Sequence, residues 1–129
     1  GKNIREWIYV KDHCNAIKKA LQKGRSGETY LIGGSNEIKN IDLVNEIIKI
    51  FNKKNKNYNY FDLIFYLKDR KSHDKRYAIN SSKAVKELGL TFNLNFQKKL
   101  ELTVNHYIQN KSFYHKLMNK TKWFKEHYK

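Results

Sequence analysis

Proline is absent from this chain, although turns usually draw on it, and Cys14 is its only cysteine. A single cysteine excludes an internal disulfide framework and agrees with a reducing compartment. Acidic side chains are scarce as well: 12 Asp and Glu stand against 27 Lys and Arg, a formal net charge of +15. No apolar run approaches the length of a membrane span, and the first residues lack the charged-then-apolar pattern of a signal peptide. These absences lead us to expect a soluble, cytoplasmic protein. Its 129 residues fall in the range of one domain, which loses roughly two-thirds of its unfolded surface on folding.

The charge excess admits two readings. Clustered Lys and Arg release counterions when they neutralise a phosphate backbone, so a basic nucleic-acid-binding module is one. Here, however, the lysines run along the whole length among many Asn and Ile, with no continuous basic arm and no aromatic-basic RNA-binding motif. An A+T-biased coding sequence gives the same excess without functional meaning, and no specific nucleic acid is expected.

Arginine is the more informative scarcity, with four (Arg5, Arg25, Arg70, Arg76) against 23 lysines. Two of the four fall in Asp69-Arg70-Lys71-Ser72-His73-Asp74-Lys75-Arg76-Tyr77, a polar loop between an apolar run and a helical pattern. Such loops are where binding groups usually sit. The planar guanidinium fork fits phosphate or carboxylate bidentately, whereas Lys is a mobile point charge. The loop therefore reads as an anion clamp, with phosphate the favoured anion.

Around it the order of elements is α/β, short strands alternating with helices. Trp7, Ile8 and Val10 suit a short buried strand, and Asp12 is placed to cap a helix with Cys14, Ile17, Ala20 and Leu21 on one face, stopped by Gly24. Gly27 sits in the turn that follows. Thr29–Ile32 reads as a strand running into Gly33-Gly34, a pair that permits tight turning or close approach of a ligand but is no G-x-G-x-x-G fingerprint. Asn40 opens a helix with Ile41, Val44, Ile47, Ile48 and Phe51 on its face. Residues 52–60 read as a solvated connector and Leu63–Leu67 as a strand. A helix from Asn80 through Ala84, Val85 and Leu88 ends at Gly89. Asn95 caps another, carrying Phe96, Leu100, Thr103, Val104, Tyr107 and Ile108. The tail, residues 111–129, is basic and aromatic and is expected to form a short helix or two whose rings pack on the body.

Three stretches taken together resemble the C-terminal part of a dTDP-glucose 4,6-dehydratase, a nucleotide-sugar enzyme of the Rossmann-type extended short-chain dehydrogenase/reductases. They are Ile4-Arg5-Glu6-Trp7-Ile8-Tyr9-Val10-Lys11-Asp12-His13, then Gly27 through Glu37, then Asp69-Arg70 through Tyr77-Ala78-Ile79. The first alone places the chain only among related nucleotide-sugar epimerases and dehydratases. The resemblance covers residues 1–128 and implies that the whole chain is one nucleotide-sugar-binding portion. It implies that Arg5 and Arg70 contact the nucleotide diphosphate, and that Asn40 with Asp69, Arg70, Lys71, Ser72 and His73 completes the substrate side. Each has a plainer reading beside it: Asn40 as a helix cap, His73 as a structural hydrogen-bonder, Arg5 as half of a surface ion pair. Arg76 and Tyr77 are assigned support.

What the resemblance further implies lies outside these residues. In the family an N-terminal Rossmann domain binds NAD, and the catalytic Tyr-x-x-x-Lys and Asp-Glu pairs lie upstream. The intact enzyme converts dTDP-glucose to dTDP-4-keto-6-deoxyglucose, used for rhamnose and related cell-surface glycans, and is commonly a homodimer. No catalytic residue is assigned within the chain. Tyr107-Ile108-Gln109-Asn110-Lys111 spells Tyr-x-x-x-Lys at a different family position, and Cys14 beside His13 is no metal site. The family usually has Pro-Gly where Lys71-Ser72 stands, and commonly an acid at Lys11.

Overall fold

Ile4–Glu6 forms a strand, β1, on which distant parts of the chain converge. The computed structural model describes residues 1–68, 71–92 and 95–120. After β1 come α1 (Val10–Lys23), β2 (Glu37–Lys39), α2 (Asn40–Lys54), a 3-10 turn (Tyr60–Leu63), α3 (Ser82–Leu88), α4 (Phe96–Gln109) and α5 (Lys111–Lys120). β1 pairs antiparallel with β2 in the register Ile4↔Lys39, Arg5↔Ile38, Glu6↔Glu37. On its other edge Ile4 makes a parallel bridge to Arg76, donating to the Lys75 carbonyl at 2.7 Å and accepting from the Tyr77 N–H at 3.2 Å.

The helices are close to expectation and the strands are not. Gly89 closes α3 in the left-handed conformation, φ 65°, where a Cβ is strained. Asn95 caps α4, its Oδ1 accepting from the Lys98 N–H at 2.9 Å. Asn80 accepts from the Ser82 N–H at 3.0 Å and so caps α3 from just outside it. Asp12, by contrast, lies inside the first turn of α1, which starts at Val10, and its carboxylate meets Lys99 of α4 at 2.7 Å. The strand expected at Trp7–Val10 is displaced to Ile4–Glu6. Thr29–Ile32 and Leu63–Leu67 form no ladder among the described residues; Leu63 closes the 3-10 turn, and Phe65 and Leu67 are 82% and 91% exposed. β-prone residues become a strand only where a neighbour takes their N–H and C=O groups. The architecture is accordingly mostly helical, with two short strands.

The core is divided. Ala16 of α1 packs with Ala84 and Leu88 of α3 and with Leu90, joined by Ala20, Tyr30 and Ile32. The two alanines leave room for Leu88, whose complete burial contributes about 2 kcal/mol. α2 packs on α4, with Leu43, Ile48 and Val104 buried. The α1 face differs from expectation: Ala16 and Ala20 turn inward, while Val10, Cys14, Ile17 and Leu21 form an exposed apolar stripe, Leu21 at 85%. The tail differs too. Tyr114 stacks on Tyr107 at 4.5 Å between ring centroids, but Phe113 is 61% exposed, and Trp123, Phe124 and Tyr128 lie outside the described residues. No helix among the described residues is long and apolar enough to cross a membrane.

Candidate functional site

Arg5 and Glu6 are consecutive on β1 and so project to opposite faces of the ribbon. On one face the Arg5 guanidinium turns inward. Its Nη1 donates to the Ile4 carbonyl at 2.7 Å, and its Nη2 donates to the Asp74 carbonyl at 3.0 Å and meets His73 Nε2 at 2.7 Å. The guanidinium carbon stands 4.4 Å from the centroid of the Tyr77 ring, a cation–π contact, and Tyr77 donates its hydroxyl to Asp74 Oδ2 at 2.6 Å. Arg5 thus reads the backbone of 74–75 as well as the His73 ring, and both its Nη groups face protein acceptors.

Asn3 extends the cluster. Its side-chain amide approaches His73 Nδ1 and the Asp74 carbonyl, each at 3.4 Å, while its own carbonyl accepts from the Asn40 N–H at 3.0 Å. Ile41 N–H donates to the Gly1 carbonyl at 3.0 Å. The opening residues therefore satisfy the first amides of α2, and the Asn40 side chain does not cap it; Lys39 stands at the cap without a side-chain bond. Asn40 Oδ1 is buried without a hydrogen-bond partner among the described residues. Asn3, not anticipated from sequence, links Asn40 to His73, and its only sequence signal is its place two residues before Arg5.

On the other face Glu6 grips two backbone amides, Oε1 accepting from Ser35 N–H at 2.8 Å and Oε2 from Ile79 N–H at 2.7 Å. The glycine pair belongs to this grip. A Cβ at Gly33 would collide with the Glu6 carboxylate, and one at Gly34 with the Trp7 carbonyl. The pair thus serves close approach of the chain to itself. Beside it, Glu37 lies directly opposite Glu6 and receives Arg76 Nε at 2.5 Å and Nη2 at 2.9 Å. The Arg76 hydrogen bond lowers the Glu37 carboxyl below its ordinary range and raises the guanidinium. This contact removes the repulsion of two facing carboxylates.

The structure therefore gathers Arg5, Asn40 and His73 around β1, with Arg76 bridged to Ile4 and paired with Glu37 and with Tyr77 against the Arg5 guanidinium. Lys71 and Ser72 form the exposed turn before His73, Ser72 at φ 57°. Asp69 and Arg70 lie outside the described residues. The Tyr107-x-x-x-Lys111 pair is split between two helices, Tyr107 on α4 and Lys111 opening α5. A cleft of about 890 Å³ between α2 and α4, with Lys49, Lys53 and Lys98 among its walls, includes none of these site residues. No cluster of three or more metal-ligating side chains occurs among the described residues.

Residues 1–103 match the family model for GDP-mannose 4,6 dehydratase. A probable dTDP-glucose 4,6-dehydratase of Sinorhizobium fredii is 41% identical over 121 residues, covering 93% of this chain and 35% of the relative. The dTDP-glucose 4,6-dehydratase of Escherichia coli is 40% identical over 124 residues, covering 92% and 34%. Among solved structures, the Bacillus anthracis dTDP-glucose 4,6-dehydratase in complex with NAD superposes with a TM-score of 0.72 at 41% identity, over 87% of this chain and 33% of that one. DesIV, the enzyme of the same name from Streptomyces venezuelae, solved with NAD and TYD bound, gives 0.76 at 34% identity, over 88% and 33%. The chain spans about one third of the length of the curated relatives it matches.

Proposed function

The chain belongs to the GDP-mannose 4,6 dehydratase family, whose dTDP-glucose 4,6-dehydratases it matches, and from this we propose that it is the nucleotide-sugar-binding portion of such an enzyme. The observation that carries the proposal is the convergence of Arg5, His73, Asn3 and Asn40 on one short strand. The ligand class is a dTDP-sugar. A diphosphate arriving at Arg5 Nη2 displaces the His73 ring from it, and the guanidinium then donates to phosphate oxygen. Asn40 Oδ1, buried and without a partner among the described residues, supplies a further polar contact.

In this proposal hydride and proton transfer belong to an N-terminal half that supplies NAD and the Tyr-x-x-x-Lys and Asp-Glu groups. Two features support such a partner. The α1 stripe Val10, Cys14, Ile17 and Leu21 is amphipathic in pattern yet exposed, and Thr29–Ile32 is strand-prone yet unpaired. The chain alone is predicted to perform no dehydration of dTDP-glucose in the presence of NAD. Titration with dTDP, followed by calorimetry or NMR, tests the binding role. We expect saturable binding that is lost in Arg70→Ala and survives moderate salt. A basic nucleic-acid module would instead bind oligonucleotide with a steep salt dependence, and Arg70→Ala would matter no more than the loss of one lysine. That outcome would overturn the proposal.

A further inference from the structure

Glu6 has no assigned part in binding, yet it follows Arg5 directly on β1 and bonds the run that carries His73 and Tyr77. Its two carboxylate oxygens hold Ser35 N–H at 2.8 Å and Ile79 N–H at 2.7 Å, so one side chain ties the 33–36 turn and the 73–79 run to the end of β1. Arg5, one residue earlier, grips the same 73–79 run through the Asp74 carbonyl, the His73 ring and the Tyr77 face. Beyond the Ile4 backbone bridge, the run is therefore held by the side chains of two consecutive residues of a three-residue strand, from opposite faces. A placement this specific has local costs. Ser35 adopts φ 56°, in the left-handed region, and Gly33 has no room for a Cβ.

We infer that Glu6 is a positioning residue for the nucleotide diphosphate: by fixing Ile79 against β1 it sets the distance at which Arg5 and His73 face the ligand. The inference rests on the binding role proposed above. Glu6→Gln is isosteric and keeps one oxygen for one amide, but turns its NH₂ toward the other N–H, so one segment is released. Gly33→Ala displaces the same carboxylate by its Cβ while leaving the charge in place.

Titration of the full chain with dTDP provides the test, with circular dichroism confirming that each variant is folded. Glu6→Gln and Gly33→Ala are each expected to weaken dTDP binding about tenfold in the wild-type background. Neither should cause further loss in an Arg5→Lys background, because the effect travels through the guanidinium. A folded Glu6→Gln variant with unchanged affinity overturns the inference, as does an equal loss in both backgrounds, which is what mere loosening of the fold would produce. If Glu6→Gln does not fold, Gly33→Ala decides by the same two criteria. Failure of the wild-type chain to bind dTDP overturns the binding role itself, and the inference with it; binding that ignores both variants overturns the inference alone.

Discussion

Ser72 occupies φ 57°, in the left-handed region where an L-residue costs about 1 kcal/mol and glycine costs none. Ser72→Gly is accordingly expected to stabilise the chain by about 0.5 kcal/mol, since relief of strain outweighs the added freedom of the unfolded chain. A melting temperature lower than wild type would contradict the assignment of strain at this residue. Other residues were less legible from sequence. Arg5 was singled out as a rare arginine, but its inward fork depends on carbonyls 70 positions away. Asp12 looked like a cap because acids favour helix starts. That its carboxylate meets Lys99 of α4 is a property of packing, for which helix periodicity carries no signal.

That same contact governs the relation between two elements. Lys99 and Asp12 are 10% and 19% exposed, and their 2.7 Å pair joins α1 to α4, with the Lys99 ammonium 5.1 Å from the Phe92 ring centroid. Removing one partner leaves a partly buried charge uncompensated, at a cost of about 3 kcal/mol, whereas replacing both by apolar groups costs less. Chemical denaturation of Asp12→Ala, Lys99→Met and the double variant is expected to show the double variant more stable than Asp12→Ala alone; strict additivity would mean that the pair contributes nothing. Helices are legible in the sequence because the period of their apolar residues and boundaries such as Asn95 and Gly89 are local properties, although the buried face of α1 and the caps of α1 and α2 are not. Thr29–Ile32 and Leu63–Leu67 were read as strands for equally local reasons, β-branched and aromatic composition, but strand formation is a pairwise event and these segments find no partner among the described residues.

At the scale of the molecule, seven buried apolar residues form the core among the described residues, while the α1 stripe and Phe65, Tyr66 and Leu67 lie open. Ile17→Glu with Leu21→Glu is expected to leave the helical content and the Ala16–Leu88 core intact and to abolish capture of a co-expressed N-terminal half of a family enzyme, measured by co-purification. Capture at the wild-type level would show that the α1 stripe is not the docking face. The sequence by itself determined the family, the helices, the polar loop and the scarcity of arginine, because composition, period and ordered motifs are written in neighbouring residues. Only the tertiary structure decided that the glycine pair embraces Glu6, that Arg5 turns inward to His73, and that the opening residues take the first amides of α2. Those outcomes depend on which backbone carbonyls and amides, tens of positions apart, arrive at the two edges of a three-residue strand.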